Sequence, residues 1–101
     1  MKTRLQLDEL LSSIPGVVDC YFSPPEGVEM YYPCIVYFLM ETQAEFADNL
    51  PYKKNKKYRI TVIDEDPDSE IPDYISDLPC CFSERNYVAD GLNHFVYILS
   101  W

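Results

Sequence analysis

Basic residues, glycine and histidine are scarce in this 101-residue chain, and each shortage argues against a class of function. Eight Lys and Arg stand against seventeen Asp and Glu, giving a net charge of −9, which argues against general binding of a nucleic-acid backbone. The three glycines are dispersed, so there is no glycine-rich phosphate loop. No apolar run approaches membrane-spanning length, and the N-terminal stretch has no apolar signal core. The length predicts a single domain with one core.

The four cysteines and the one histidine form no recognisable metal or catalytic signature. Cys20, Cys34, Cys80 and Cys81 include no C-x-x-C pair, and His94 lies at no usual ligand spacing from them. A Cys34–His94 nucleophile pair would depend on folding alone and has no flanking signature. We therefore expect a cytosolic protein that is not an enzyme, that carries reduced and mostly buried thiols, and that uses no metal or cofactor.

Hydrophobic periodicity predicts a helix near the start of the chain. Thr3 and Gln6 fit a capping box, in which each side chain accepts a hydrogen bond from an otherwise unpaired backbone N–H group. Apolar residues then recur at helical spacing, and Pro15–Gly16 ends the pattern. The residues of this stripe are Leu7, Leu10, Leu11 and Ile14.

Strand patterns occupy much of the remainder. Residues 17–22 and 57–65 read as strands, and 34–40 is apolar at every position, which predicts a central strand covered on both faces. Residues 23–32 and 41–55 read as long loops, the latter because of Pro51 and its many lysines.

A second helix and a final hairpin follow. Ser69 or Ile71 is expected to cap the helix, with Pro72 in its first turn and an apolar stripe of Ile71, Tyr74, Ile75 and Leu78. Asp90–Gly91 predicts a tight turn between strands at 80–89 and 92–101. The order α-β-β-β-α-β-β predicts a small α/β (α+β) domain over residues 1–101. Its sheet is mixed and mostly antiparallel, with both helices on one face.

Charge is segregated along the chain, because a lysine cluster lies shortly before an acidic one. Such polarity suits head-to-tail contact between identical copies, although solvation of a hairpin and of a helix start is an alternative. A second alternative is that the lysines, with Tyr52 and Tyr58 beside them, contact a single-stranded nucleic acid. Tyrosine is abundant, which suits a protein interface and an aromatic sheet core equally. The candidate interface residues are Lys53, Lys54, Lys56, Lys57, Asp64, Asp66, Asp68 and Glu70.

The acidic cluster begins like a calcium-binding loop, with carboxylates at alternate positions from Asp64. Ser69 stands where the loop needs glycine, and Ile75 where it needs the bidentate glutamate. We therefore attribute these acids to the start of the second helix, where its dipole favours negative charge.

Several segments, spread in order over residues 32–97, resemble one family. They are Tyr32–Tyr37 (YPCIVY), Ala47–Asn49 with Pro51–Tyr52, Tyr58–Asp64 (YRITVID) with Asp66–Ser69 (DPDS), Tyr87–Asp90 (YVAD) and Leu92–His94 (LNH). Together they resemble the small tail-completion or tail-terminator proteins that join head and tail in long-tailed bacteriophages and prophages. Gly91 stands where that family would have Asn, and both residues accept a left-handed turn.

The resemblance implies a structural virion protein without chemistry. Such proteins share a small α/β fold and close into a hexameric ring that caps the tail tube, ends its polymerisation and meets the connector of the head. The implied partners are further copies, the tail-tube protein and the head-completion protein. Genome DNA could pass through the ring without sequence-specific contact, and no membrane is involved. The implied location is the neck of the virion, and the host cytoplasm during assembly.

Two other interpretations remain open at this stage. The chain could be a different neck component, although head-completion adaptors are mostly helical and stoppers tend to be small barrels. It could also be a small acidic protein that inhibits a host nuclease by imitating DNA, but its acids bunch at one helix start instead of following a face.

Overall fold

The observed elements follow the predicted order α-β-β-β-α-β-β. The computed structural model describes residues 3–47 and 50–101, and for 41–47 and 50–55 it describes the backbone alone. The elements are α1 (Arg4–Ser12), β1 (Asp19–Phe22), β2 (Cys34–Ala47), β3 (Leu50–Asp64), α2 (Ile71–Ser76), β4 (Cys81–Ala89) and β5 (Leu92–Ser100).

The five strands form one mixed sheet in the order β1-β2-β3-β5-β4. β1 pairs with β2 in parallel, and the other three pairings are antiparallel, which confirms the predicted mixed, mostly antiparallel sheet. Because adjacent parallel strands need a crossover connection, residues 23–33 must pass over a face of the sheet. β3 is the middle strand of the five. The strand predicted at 34–40 belongs to β2, which has a neighbour on each side but is not the middle strand, so the prediction of a central strand is only partly correct.

The main core lies between the two helices and one face of the sheet, which confirms the predicted layering. Strand alternation turns Tyr37, Ile60 and Leu99 toward the helices, and register aligns the three strands that carry them. From the helices, Leu7, Leu11, Ile14, Ile71 and Ile75 fill the space above.

Both helix starts can be compared with their predicted caps. In α1 the capping box is present, with the Thr3 hydroxyl accepting from Gln6 N and the Gln6 amide oxygen accepting from Thr3 N. In α2 the N-cap is Glu70, which makes no side-chain cap. The Ser69 hydroxyl instead accepts from Ile71 N at 3.3 Å, and Pro72 occupies the first turn as expected.

The predicted loop at 41–55 is wrong, because β2 and β3 continue through most of it as a paired ribbon. β1 pairs with β2 only as far as Tyr37, and β5 with β3 only as far as Lys57, so the ribbon extends past the sheet. We call residues 41–47 and 50–56 the arm. Pro51 is tolerated because it lies beside a register shift in a ribbon whose outer edges are unpaired.

The expectation that 34–40 is covered on both faces holds for its first half only. Cys34 to Tyr37 are buried, whereas Phe38, Leu39 and Met40 are exposed. Coverage stops where β1 ends its pairing, since the layers above and below stop with it.

The final hairpin is confirmed, with Asp90 at φ 53° and Gly91 at φ 74° in its turn. Both positive values are what the preferred two-residue turn requires. Cys80 departs from the prediction, since it precedes β4 with φ 59° and is exposed. Cys81 begins the strand and packs against the main core. The expected mostly buried thiols are therefore only partly right, because Cys34 alone is fully buried.

Candidate protein-interaction surfaces

The predicted basic and acidic clusters lie at opposite ends of β3. Lys56 is exposed and Lys57 is half-buried near the base of the arm, whereas Asp64 ends the strand. Asp64 lies seven positions beyond Lys57 in extended chain, a distance of about 23 Å. The fold thus keeps the two clusters apart within one copy. The side chains of Lys53 and Lys54 lie outside the described part.

The register of the β2–β3 ribbon divides Lys53, Lys54, Lys56 and Lys57 into two pairs. Lys57 stands opposite Glu41, and Lys53 stands opposite Glu45. Opposite charges at such register positions stabilise an antiparallel pair modestly. Lys54 and Lys56 stand opposite the uncharged residues Ala44 and Thr42.

The acidic cluster forms a turn ahead of α2 and does not cap the helix. Asp64 Oδ1 accepts from Asp66 N at 3.0 Å, and Asp66 Oδ1 accepts from Asp68 N at 2.9 Å. Asp64 and Asp66 therefore hold the loop backbone, whereas Glu70 occupies the N-cap position of α2 without a side-chain cap. Asp68 and Glu70 remain exposed on the outside of this turn. In the described part of the chain, no three metal-ligating side chains come together.

The sheet face opposite the helices is more apolar than a solvent-facing sheet requires. We call it the open face. An antiparallel sheet with one wet face normally alternates apolar and polar residues. Here Val36, Ile63 and Val96 are buried on the open face as well. Met30 and Leu92 pack against the cluster that contains Val36 and Ile63. Phe38 and Phe82 on the same face are left 41% and 58% exposed.

A groove of about 390 Å³ runs between the crossover loop and the open face. Its floor comes from β2 and β3, with Phe38 and Thr61 among its residues. One wall is the loop segment 24–30, and the other includes Tyr87 and His94. The rings of Tyr87 and His94 are stacked, 4.6 Å between centroids and 10° between planes.

Two arginines stand on the open face beside this groove. Arg59 forms a two-point ion pair with Glu84, through Nε to Oε2 at 3.0 Å and a terminal nitrogen to Oε1 at 3.3 Å. The Arg85 guanidinium lies 5.1 Å from the centre of the Tyr87 ring. Arginine and tyrosine are the residue types most enriched at the energetic centres of protein interfaces.

On the opposite side of the molecule, α2 presents an aromatic residue among acids. Tyr74 is 44% exposed, so the predicted apolar stripe of this helix is buried at Ile71 and Ile75 but not at this position. Glu70, Asp73 and Asp77 surround it and line a shallow depression.

Cys34 and His94 do not form a reactive pair in this structure. Both belong to the open face, but they lie two strands apart, about 10 Å in backbone spacing, with Ile63 between them. Burial, with a smaller contribution from Asp19, raises the pKa of the Cys34 thiol to about 11, whereas a nucleophilic cysteine needs a lowered one. His94 Nδ1 lies 3.1 Å from the carbonyl oxygen of Leu92.

The groove was not predicted from the sequence. The sequence contained one indication of the groove. Val96 and Ile98 lie on the open face of β5, where a solvent-exposed face would carry polar residues. Its walls depend on a loop and on a neighbouring strand that only folding brings together.

Comparison with known protein families, with curated proteins and with solved structures finds no match to this chain. Within residues 3–47 and 50–101, no helix combines the length and the hydropathy needed to cross a membrane.

Proposed function

We propose that this protein is a structural component of a phage virion, one that caps the tail tube as an oligomeric ring, ends tail polymerisation and joins the tail to the head. The proposal starts from the resemblance carried by residues 32–97. The observation that supports it best is β3, which bears a lysine cluster on its arm and an acidic turn at its other end. A subunit with unlike surfaces at its two ends is suited to head-to-tail association, which closes into a ring when the rotation per subunit allows.

Within this proposal, the lysines of one copy pair with the acidic turn of the next. The arm register favours Lys54 and Lys56 for this role, since Lys53 and Lys57 already stand opposite glutamates. On the acidic side, Asp68 and Glu70 are the better candidates, because Asp64 and Asp66 hold the turn together.

The arm is the proposed contact with the tail tube. A two-stranded ribbon without a covering layer is only marginally stable in water, so the arm gains most from a partner. Apart from the Lys56 carbonyl, which accepts from Trp101 N, the outer edges of the arm pair with neither β1 nor β5 over its described residues, and such edges suit the addition of a strand from another protein.

The open sheet favours a terminator over other neck components. β1 and β4 are edges, so the strands do not close into the barrel expected of a stopper, and helices contribute too little of the chain for an adaptor.

Deleting the gene from the phage tests the function. Loss of a terminator leaves tubes of excessive and variable length without heads, because nothing ends polymerisation. Tails of normal length that fail to join heads would instead indicate a stopper or adaptor. Normal particles that lack the protein at the neck would reject a virion role and leave host inhibition.

A charge exchange tests the proposed pairing. Lys54→Glu with Lys56→Glu, and separately Asp68→Lys with Glu70→Lys, should each abolish the ring seen by native mass spectrometry. Mixing the two variants should restore it, since every contact in an alternating ring then joins opposite charges. A mixture that stays dissociated while both variants are folded would contradict the pairing.

A further inference from the structure

The open-face groove and the exposed side of α2 lie on opposite sides of the sheet and complement each other in chemistry. The groove offers the apolar Phe38, the Tyr87–His94 stack and the nearby cation of Arg85. The α2 side offers Tyr74 with carboxylates on both flanks. We propose that the α2 side of one copy docks into the open-face groove of a second copy, with Tyr74 as the inserted residue.

The first argument is the apolar character of the receiving surface. Phe38 and Phe82 share a row across the open face through Arg59 and Ile98, and both aromatic rings remain substantially exposed. The Arg59–Glu84 ion pair lies between these two rings, so they do not form one continuous apolar patch. Phe38 belongs to the groove, which is large enough to receive one aromatic side chain.

The second argument is charge. Arg85 stands on the open face with its guanidinium over the Tyr87 ring at the groove wall, whereas Arg59 is already paired with Glu84, and Glu26 lines the loop wall. Asp73 is exposed next to Tyr74, and Asp77 follows at the end of α2. With Tyr74 inserted on the Tyr87 side of the groove, these carboxylates face the Arg85 guanidinium, which provides orientation as well as affinity.

The third argument excludes an intramolecular contact and selects a second copy. α2 packs on the face of the sheet that carries the main core, and the groove lies on the other face, so one copy cannot fill its own groove. The contact is therefore heterologous and propagates from copy to copy.

This inference names a contact of the ring proposed above and rests on that proposal. It is also compatible with the lysine pairing. Both contacts join the acidic turn and α2 of one copy to the arm and the groove of the next, so they run in the same direction around the ring.

Two single substitutions with matched controls test the interface. Tyr74→Glu removes the inserted ring, and Tyr87→Glu places a charge in the wall of the groove. Leu5→Glu on α1 and Val88→Glu, next to Tyr87 but on the other face of β4, are control substitutions at exposed apolar residues outside both surfaces, and both positions are more exposed than Tyr74 and Tyr87. Circular dichroism confirms that each variant is folded before assembly is measured.

The expected results are specific to a heterologous contact. In native mass spectrometry, with tail-tube protein added if the wild type needs it, each test variant alone loses the ring and each control keeps it. An equimolar mixture of the two test variants yields a dimer, because one intact groove and one intact α2 side remain between them. Rings formed by either folded test variant, or a mixture without dimers, would overturn the inference.

The same variants separate this inference from the function. If Tyr74→Glu still assembles at the junction of head and tail in phage particles, the interface is wrong and the neck role stands. If the dimer forms as expected but the wild-type protein is absent from that junction, the interface stands and the neck role fails.

Discussion

The indole Nε1 of Trp101 donates a hydrogen bond to the backbone carbonyl of Thr3 at 2.8 Å. The backbone N–H of the same tryptophan donates to the carbonyl of Lys56, also at 2.8 Å. Trp101 therefore links the cap of α1 to the base of the arm through two hydrogen bonds.

Trp101→Phe should lower the free energy of unfolding by about 1 kcal/mol or less, the net value of one partly exposed hydrogen bond. The loss is limited because Thr3 O also accepts from Leu7 N. Trp101→Ala should cost more, since its ring packs against the main core. Urea denaturation measures both. No loss in Trp101→Phe would show that the indole bond contributes nothing, and equal losses in the two variants would show that the ring packing contributes nothing beyond that bond.

Tyr37 and Asp8 should show energetic coupling. The buried Tyr37 hydroxyl donates to Asp8 Oδ2 at 2.6 Å, and Arg4 donates to the same hydroxyl at 3.2 Å. A hydrogen bond to a charged group contributes about 1.5–3 kcal/mol, and partial exposure of Asp8 places this one near the lower end. A double-mutant cycle with Tyr37→Phe and Asp8→Ala should therefore give a coupling of about 1.5 kcal/mol. Additive losses would mean that the contact does not hold α1 to the sheet.

Stability should fall as the pH rises above about 9. Burial raises the pKa of Cys20 to about 12 and that of Cys34 to about 11, and burial followed by the bond to Asp8 raises the pKa of Tyr37. Each group keeps its proton in the folded state at a pH where the unfolded chain has lost it. Their contribution is complete below the unfolded pKa values, about 8.5 for Cys and 10 for Tyr, and declines as the pH climbs toward the folded ones.

Chemical denaturation of the wild type and of Cys34→Ala near pH 8 and near pH 10 checks this pH dependence. The wild type should lose more stability between the two conditions than the variant, which lacks one of the responsible protons. Equal losses would assign the alkaline effect to other groups.

The thiols should react with a maleimide in an order set by exposure. Cys80 is exposed and should be labelled first, whereas the fully buried Cys34 should be labelled only when the protein unfolds. Time-resolved mass spectrometry follows the sites, and Cys80→Ser should remove the fast phase. Rapid labelling of Cys34 in the folded protein would contradict its buried position.

Replacing residues 43–55 by Asn-Gly should leave the domain folded. Thr42 pairs with Lys56 in the ribbon, so this turn would close the hairpin at its base. The melting temperature should change by only a few degrees, because the main core lies within the five-stranded part of the sheet. Assembly with tail-tube protein should be lost, and an unfolded variant would show that the arm supports the domain.

The element order, both amphipathic helices and the final turn could be predicted because each depends on local patterns. The apolar stripe of α1, its capping box and Asp90–Gly91 specify their structures within a few residues. The arm could not be predicted, since Lys and Asn favour strands weakly, and the stretch is a strand through backbone pairing with β2, which a local pattern does not reveal.

The candidate surfaces, too, could be predicted from the sequence only in part. Segregation of lysines and acids along the chain was visible in the sequence by itself, together with the two-layer fold. Tertiary structure alone decided that these charges lie at opposite ends of one strand, and that Tyr87 stacks on His94 to wall a groove. The physical reason is that such surfaces depend on strand order and register, which arise from contacts between residues far apart in the chain.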